Sequence, residues 1–352
     1  MSKINTPFKA NLWWNSHLSL ALVFAFYQLI GLQHPVAIHA TLGGFALFVL
    51  SACGTAAFVH LLNDYCDIKK DSRSGARSLA IGVRKRWISL EICLGLGCAF
   101  LPWLRLPTDA VILTLLVCEF VLIVLYNVPP VRLKNRGLAG TVAATLYAYV
   151  IPCLVSLAVF GKLSGDPSNL WIMGLIALWA SVYGFRSMLT HQLEDVSRDQ
   201  LANINTFVMQ FGWKQSFDLL GRIIFPVEAG LFLLMLSVLS FRSPLCLPGF
   251  IIYLYRILLW QSRNNLAGSR NPRRLSAINR IVFLNVKVMS EFVSHWLPVL
   301  VLSPLLLRQW AVIIPCILYF MLFDNGVKAY LVNAGSNIKS NWQGIWQASA
   351  EI

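Results

Sequence analysis

The chain is a succession of long apolar runs separated by short polar loops. A helix that crosses a membrane takes about 20 mostly apolar residues. Runs of this kind fall near 15–33, 38–62, 87–105, 108–127, 138–160, 168–191, 217–240, 244–261, 279–304 and 306–323. They are long and unbroken and do not alternate residue by residue, so the pattern predicts helices and not a spanning β-sheet. The expectation is an all-α, polytopic membrane helical bundle of ten spans. No composition shift marks off a soluble domain, so residues 1–352 read as one membrane-embedded domain.

Composition agrees with that picture. Hydrophobic residues make up 57% of the chain and charged residues only 12%, against about 25% charged in a soluble domain. The formal net charge is +14, and its distribution decides what it means. Loop 63–86 carries Lys69, Lys70, Arg73, Arg77, Arg84, Lys85 and Arg86; loop 128–137 carries Arg132, Lys134 and Arg136. Loop 192–216 carries Arg198 and Lys214, and loop 262–278 carries Arg263, Arg270, Arg273 and Arg274. The alternate loops hold only Arg105, Lys162, Arg242 and Arg308. Positive charge confined to one set of loops predicts that these loops and the N-terminus face the cytoplasm. It argues against a nucleic-acid partner and for the lipid bilayer. Lys3 and Lys9 precede the first run without a clear small-residue cleavage site, so that run reads as an uncleaved helix. The eight cysteines form no CxxC pair, and Cys53, Cys93, Cys98, Cys118, Cys153 and Cys316 lie within apolar runs. They read as structural thiols, not as a zinc or disulfide framework.

Chemistry concentrates at the ends of the second, fourth and sixth runs. The second ends in Asn63-Asp64-x-x-Asp67-x-x-x-Asp71. Spacings of three and four put the three aspartates on one helical face. Like charges at a membrane boundary require a positive partner, and oxygen-rich clusters suit hard cations such as Mg²⁺. A solvated helix end paired to Lys69, Lys70 and Arg73 is the structural alternative. The sixth run ends in His191-Gln192-x-Glu194-Asp195-x-x-Arg198-Asp199, where Asp195 and Asp199 share a face and Gln192 lies close to it. By loop parity both clusters sit at the same membrane face, where together they can hold Mg²⁺ around a diphosphate. Between them in sequence comes Tyr126-Asn127-x-Pro129-Pro130-x-Arg132-x-Lys134-Asn135-Arg136-Gly137. The prolines end the helix, and the basic side chains can donate to phosphate oxygens or to lipid headgroups.

Taken together, these three segments resemble the UbiA-type superfamily of intramembrane prenyltransferases, over roughly residues 15–300. Asn63, Asp64, Asp67 and Asp71 match its first acidic motif, Asp195 and Asp199 its second, and the Pro-Pro-x-Arg-Leu-Lys-x-Arg-Gly segment its phosphate-contacting loop. Arg73 and Arg77 match basic positions after the first motif. His191-Gln192 and Arg77-Ser78-Leu79 depart from the commoner pattern. The resemblance implies nine spans where the runs number ten, giving nine or ten transmembrane helices around a central cavity. It implies Mg²⁺ held by Asp64, Asp67, Asp71, Asp195 and Asp199, which would also be the catalytic acids. It implies a polyprenyl diphosphate donor bound by Asn63, Arg73, Arg77, Tyr126, Arg132, Lys134, His191 and Gln192. The prenyl group would go to an aromatic quinone or meroterpenoid precursor. Cyclisation of the donor, or transfer to a non-aromatic lipid or porphyrin, fits the same motifs. An ion-coupled transporter is the more distant alternative; it would place carboxylates at the midplane on broken helices.

Some polar residues within apolar runs stay open in role. Lys287, Glu291 and His295 recur at intervals of four and read either as an internal ion-pair ladder or as part of an acceptor pocket. Asn15, His60, Tyr147, Tyr149, Tyr183 and Arg186 read as structural or as cavity-lining.

Overall fold

A computed structural model describes residues 17–31, 38–74, 85–166, 169–202, 204–266 and 289–308. These residues are helical throughout apart from turns and short connections; among them the only β-type pairing is an isolated bridge between Gly137 and Thr206. The helices are α1 (Ser19–Ile30), α2 (Ile38–Ser74), α3 (Lys85–Phe100), α4 (Ala110–Asn127), α5 (Leu138–Ser164) and α6 (Leu170–Ala202). They are followed by the short α7 (Phe207–Phe211), then α8 (Trp213–Arg242), α9 (Cys246–Leu266) and α10 (Leu297–Arg308).

Six of these helices are long and apolar enough to cross a membrane, and Ser19–Ile30 and Cys246–Ile257 are shorter apolar helices. The expected count of nine or ten is therefore not reached among the described residues. The run at 279–304 is described only from 289, and the run at 306–323 lies outside them beyond Arg308. Two helices run further than their apolar runs. α2 continues to Ser74 and α6 to Ala202, so both acidic segments are helical ends and not loops. Nothing in either segment breaks a helix, since neither contains a proline or glycine.

The bundle is apolar inside and outside. On α4 the buried face is Ile112, Leu116, Glu119, Ile123 and Asn127, whereas Val111, Val117 and Val121 of the other face are 53%, 61% and 49% exposed. An apolar exposed face suits lipid and not water. Every residue of α1 is buried, because it packs along α5 and α10 at the centre. Aromatic rings of Phe24, Trp179, Phe232 and Phe292 interlock around it. Small and hydroxylated residues set the close approaches, as expected where helices cannot rely on water to drive them together. A Cβ on Gly54 would run into the backbone of Cys98 and Ala99, so α2 and α3 touch there. Ser51 Oγ donates to the Ala99 carbonyl (2.7 Å), and Ser156 Oγ to the Ala21 carbonyl (2.6 Å).

Candidate active site

The C-terminal ends of α2 and α6 and the loop between α4 and α5 meet at one end of the bundle. On the last turns of α2, Asp64 and Asp67 are both buried and Asn63 is half-buried. Three residues apart on a helix, the two acids point to the same side. The α4–α5 loop reaches them through a sharp turn. Arg132 lies in the left-handed region (φ 37°), and Leu133–Asn135 form a single 3₁₀ turn. That turn buries Lys134, whose Nζ donates to Asn63 Oδ1 (2.7 Å) and to one oxygen of Asp67. Arg132 donates through Nη2 to the other oxygen of Asp67. Burial pushes the Lys134 ammonium below the usual lysine range, and Asp67 beside it pulls partly the other way.

The second acidic pair lies across from this cluster. Asp195 has His191 Nε2 at 3.5 Å one turn before it. Asp199 accepts a hydrogen bond from Thr206 Oγ1 (3.3 Å). Burial pushes its carboxyl up, Thr206 opposes that, and the neighbouring Asp195 charge adds to it. Tyr126, at the end of α4, is close enough to both Asp67 and Asp199 for each charge to act on its hydroxyl. Its ring meets Tyr147 edge-on at 5.4 Å.

Backbone and side-chain ties hold the three ends in place. Gly137 N donates to the Asn205 carbonyl (3.1 Å) beside its bridge to Thr206. Gly137 has φ +52°, and a Cβ there would collide with the Gln210 side chain. Gln192 Nε2 donates to Thr141 Oγ1 (3.0 Å), and its Oε1 accepts from Val208 N (3.4 Å). Gln192 therefore joins α5, α6 and α7. His191 is mostly exposed.

The structure thus brings together Asn63, Asp64, Asp67, Tyr126, Arg132 and Lys134, with Asp195 and Asp199 opposite. Asp71 and Arg73 lie on α2 with side chains outside the described residues, and Arg77 lies wholly outside them. Sequence reasoning missed Thr141 and Val208 as braces, since contacts between distant loops leave no local spacing signal. It also missed Glu228, a carboxylate within the apolar run 217–240. Its being an ionisable residue in a span was the signal that could have found it.

Among the described residues, no three acids, histidines or cysteines converge tightly enough to enclose a cation by themselves. The donor set nevertheless fits Mg²⁺, because it is made of carboxylate oxygens on two facing helices. Such a cation keeps few protein ligands and completes its shell with phosphate oxygens. A second observation fits the phosphate itself. Arg132 Nε is buried with no hydrogen-bond partner, a charged donor left for an oxyanion.

A model of the UbiA prenyltransferase family matches residues 21–278. The fold is similar to that of a UbiA homologue from Archaeoglobus fulgidus bound to GPP and Mg²⁺, with TM-score 0.53 and 16% identity, covering 85% of this chain and 100% of that one. The same homologue bound to DMAPP and Mg²⁺ gives TM-score 0.51 at 16% identity, covering 82% of this chain and 99% of that one. No curated protein matches the sequence.

Proposed function

The chain belongs to the UbiA prenyltransferase family, and from that premise we propose that it is an integral membrane enzyme using Mg²⁺. In this reading it transfers a prenyl group from a polyprenyl diphosphate to a lipophilic acceptor, an aromatic quinone or meroterpenoid precursor. The observation that carries the reading is the meeting of two acidic helix ends with Lys134 and Arg132 bonded directly to Asp67. The archaeal homologues of like fold are bound to GPP or DMAPP and Mg²⁺, which supports the same donor class here. The basic ends of α2, α4 and α6 would face the cytoplasm, on the charge asymmetry of the loops.

Asp64, Asp67, Asp71, Asp195 and Asp199 would hold Mg²⁺, and a cation there would supply positive charge to offset that of the leaving diphosphate. Lys134 and Arg132 turn from Asp67 to the diphosphate oxygens as the donor enters, joined by Arg73 and Arg77. Once turned to the bound diphosphate, these donors are aimed at the place where negative charge grows in bond breaking and stabilise it there. Asn63 keeps Lys134 in position, and Tyr126 borders the diphosphate between the acidic pairs. Gln192 fixes the loops, and His191 lies at the entry.

The C1–O bond of the donor breaks, and its electron pair leaves with the diphosphate. An electron-rich acceptor carbon then forms the new bond to the allylic C1, and its proton passes to the departing diphosphate. The prenyl chain lies among the apolar helices, and their side chains keep water from the allylic cation.

The test is purified protein with labelled geranylgeranyl diphosphate, with and without Mg²⁺, beside a panel of hydroxybenzoates, naphthoates and homogentisate and their methyl esters. Mg²⁺-dependent diphosphate release with a prenylated acceptor is expected. Release with only a cyclic hydrocarbon would replace transfer by cyclisation. No release from folded protein with any chain length would overturn the reading.

A further inference from the structure

Nine residues before Asp195, α6 carries Arg186, which is about 13 Å deeper along the helix axis. It projects from the side facing α8 and is only 1% exposed. Arg186 Nε pairs with Oε2 of Glu228, which is 0% exposed, and Nη1 donates to Ser290 Oγ (3.0 Å). The guanidinium lies over the Tyr183 ring, 4.8 Å from its centroid. Two atoms of this ion pair are left over: Arg186 Nη2 and Glu228 Oε1 are buried without a hydrogen-bond partner. A charged donor and a charged acceptor left open inside a bundle cost several kcal/mol. Native interiors rarely keep such groups unless something else completes them.

The surroundings indicate what completes them. On the side away from Asp195 the rings of Phe24, Trp179 and Phe232 close the bundle. Beside the pair, Tyr149 packs against Gly184 and bonds to Ser187 (2.8 Å), with its ring 5.7 Å from Tyr183. Tyr147, two residues earlier on α5, meets Tyr126 at the end of α4 edge-on at 5.4 Å. The ion pair is therefore a polar floor beneath the acidic clusters, flanked by flat rings.

We infer that the open edge of the Arg186–Glu228 pair docks the polar head of the acceptor, and that it selects a neutral planar group bearing a hydroxyl next to a carbonyl. Nη2 donates to the carbonyl, and Oε1 accepts from the hydroxyl. The pair is neutral as a unit, so an anionic head would leave a net buried charge, whereas a hydroxy-carbonyl group satisfies both atoms. Tyr149 and Tyr183 offer ring edges and faces to an aromatic plane. A hydroxyl bonded to a carboxylate also feeds electron density into its ring, which favours attack on the allylic C1. The inference rests on the prenyl-transfer reading above.

The test uses full-length protein with geranylgeranyl diphosphate, Mg²⁺ and two acceptors: a dihydroxybenzoate methyl ester with one hydroxyl ortho to the ester, and its ortho methyl ether. Wild type should favour the free hydroxyl by at least about tenfold in kcat/KM, since an analogue lacking the bond leaves buried groups unpaired. The neutral double variant Arg186→Gln/Glu228→Gln should lose that preference through acceptor KM, with donor Kd changed less than about twofold, because the floor is remote from the diphosphate. Wild type that treats the two acceptors alike, or a variant that keeps the preference, overturns the inference while leaving prenyl transfer intact. If the double variant does not fold, Glu228→Asp, which withdraws the carboxylate but keeps its charge, must lose the preference, and retention overturns the inference. Absence of product from wild type with every acceptor instead sinks the transfer reading on which it rests.

Discussion

Lys134 sits on Asp67, its ammonium shared with Asn63 and its neighbour Arg132 occupying the second oxygen of the same carboxylate. Lys134 and Arg132, which the proposed function assigns to the diphosphate, thus take up both oxygens that Asp67 would offer a metal ion. Lys134→Met should act in two opposite directions. Donor affinity should fall about 10- to 100-fold, the usual value of a hydrogen bond to a charged group. Mn²⁺, as a probe for Mg²⁺, should bind the donor-free variant more tightly than wild type, because one competing cation has gone. Calorimetry of each ligand alone checks both signs; weaker Mn²⁺ binding in the variant would contradict the competition.

Asp199 gives a pH-dependent prediction. Burial and the nearby Asp195 hold its carboxyl above the ordinary range, so the folded protein binds this proton more tightly than the unfolded chain. The group therefore favours folding below its unfolded pKa, and that contribution is lost as pH rises through the higher folded value. At neutral pH Asp199 is a cost to the metal-free fold. Asp199→Asn should raise Tm in EDTA at pH 7, with the gain fading towards about pH 4, where an ordinary aspartate is protonated. Turnover should drop by about 100-fold or more. Thermal melts across pH test the sign; a gain that does not change with pH would show that the buried charge of Asp199 is not its origin.

The acidic motifs were legible because helical spacing alone aligns Asp64 with Asp67 and Asp195 with Asp199, and charge parity alone placed them at one end. Their continuation as helix to Ser74 and Ala202 was not, since hydropathy reports where a span leaves lipid and not where its hydrogen bonding stops. The basic loop marked Lys134 as a donor to phosphate oxygens or to lipid headgroups, but its bonds to Asp67 and Asn63 join residues 67 and 71 positions apart. Nothing local encodes such a pairing. The Arg186–Glu228 contact is hidden for the same reason. Each residue looked like a lone charge in its own apolar run, and only the packing of α6 on α8 makes them a pair. α1 gave no sign that it would be buried on all sides, because lipid-facing and core-facing helices in a membrane are both apolar.

At the end of the bundle away from Asp67, Arg242 closes α8 onto α1 and the α5–α6 turn. It pairs with Asp166 (2.5 Å), donates to Gln28 Oε1 (3.3 Å) and lies over the Tyr27 ring at 4.7 Å. The ion pair is partly exposed, so screening limits its value, and the ring contact adds about 0.5–1 kcal/mol. Arg242→Met should lower stability by about 1–2 kcal/mol, read as a lower Tm in detergent. Mg²⁺-dependent turnover should stay within about twofold of wild type, as expected for a site with no shared partners. A large loss of turnover with little change in Tm would mean that this end of the bundle is coupled to the acidic clusters.

Gln192 separates two roles that its position in the second motif leaves open. As a ligand to Mg²⁺ or diphosphate it would point its amide into the site, whereas here Nε2 donates to Thr141 and Oε1 accepts from Val208 N. Those bonds tie the start of α5, which follows Lys134, to α7, which follows Thr206. Gln192→Leu fills the same space and removes both, leaving the Val208 amide buried without its acceptor. An unsatisfied buried group of this kind costs about 1–3 kcal/mol. The loss should appear first as a lower Tm and then as weaker donor binding, since Lys134 and Arg132 are no longer held over Asp67. The Mg²⁺ concentration giving half-maximal turnover should stay within about twofold, because the carboxylates on α2 and α6 are untouched. Titrating Mg²⁺ at saturating donor decides between the roles: a large rise in the Mg²⁺ requirement with unchanged Tm would make Gln192 part of the metal site and not a brace between the loops.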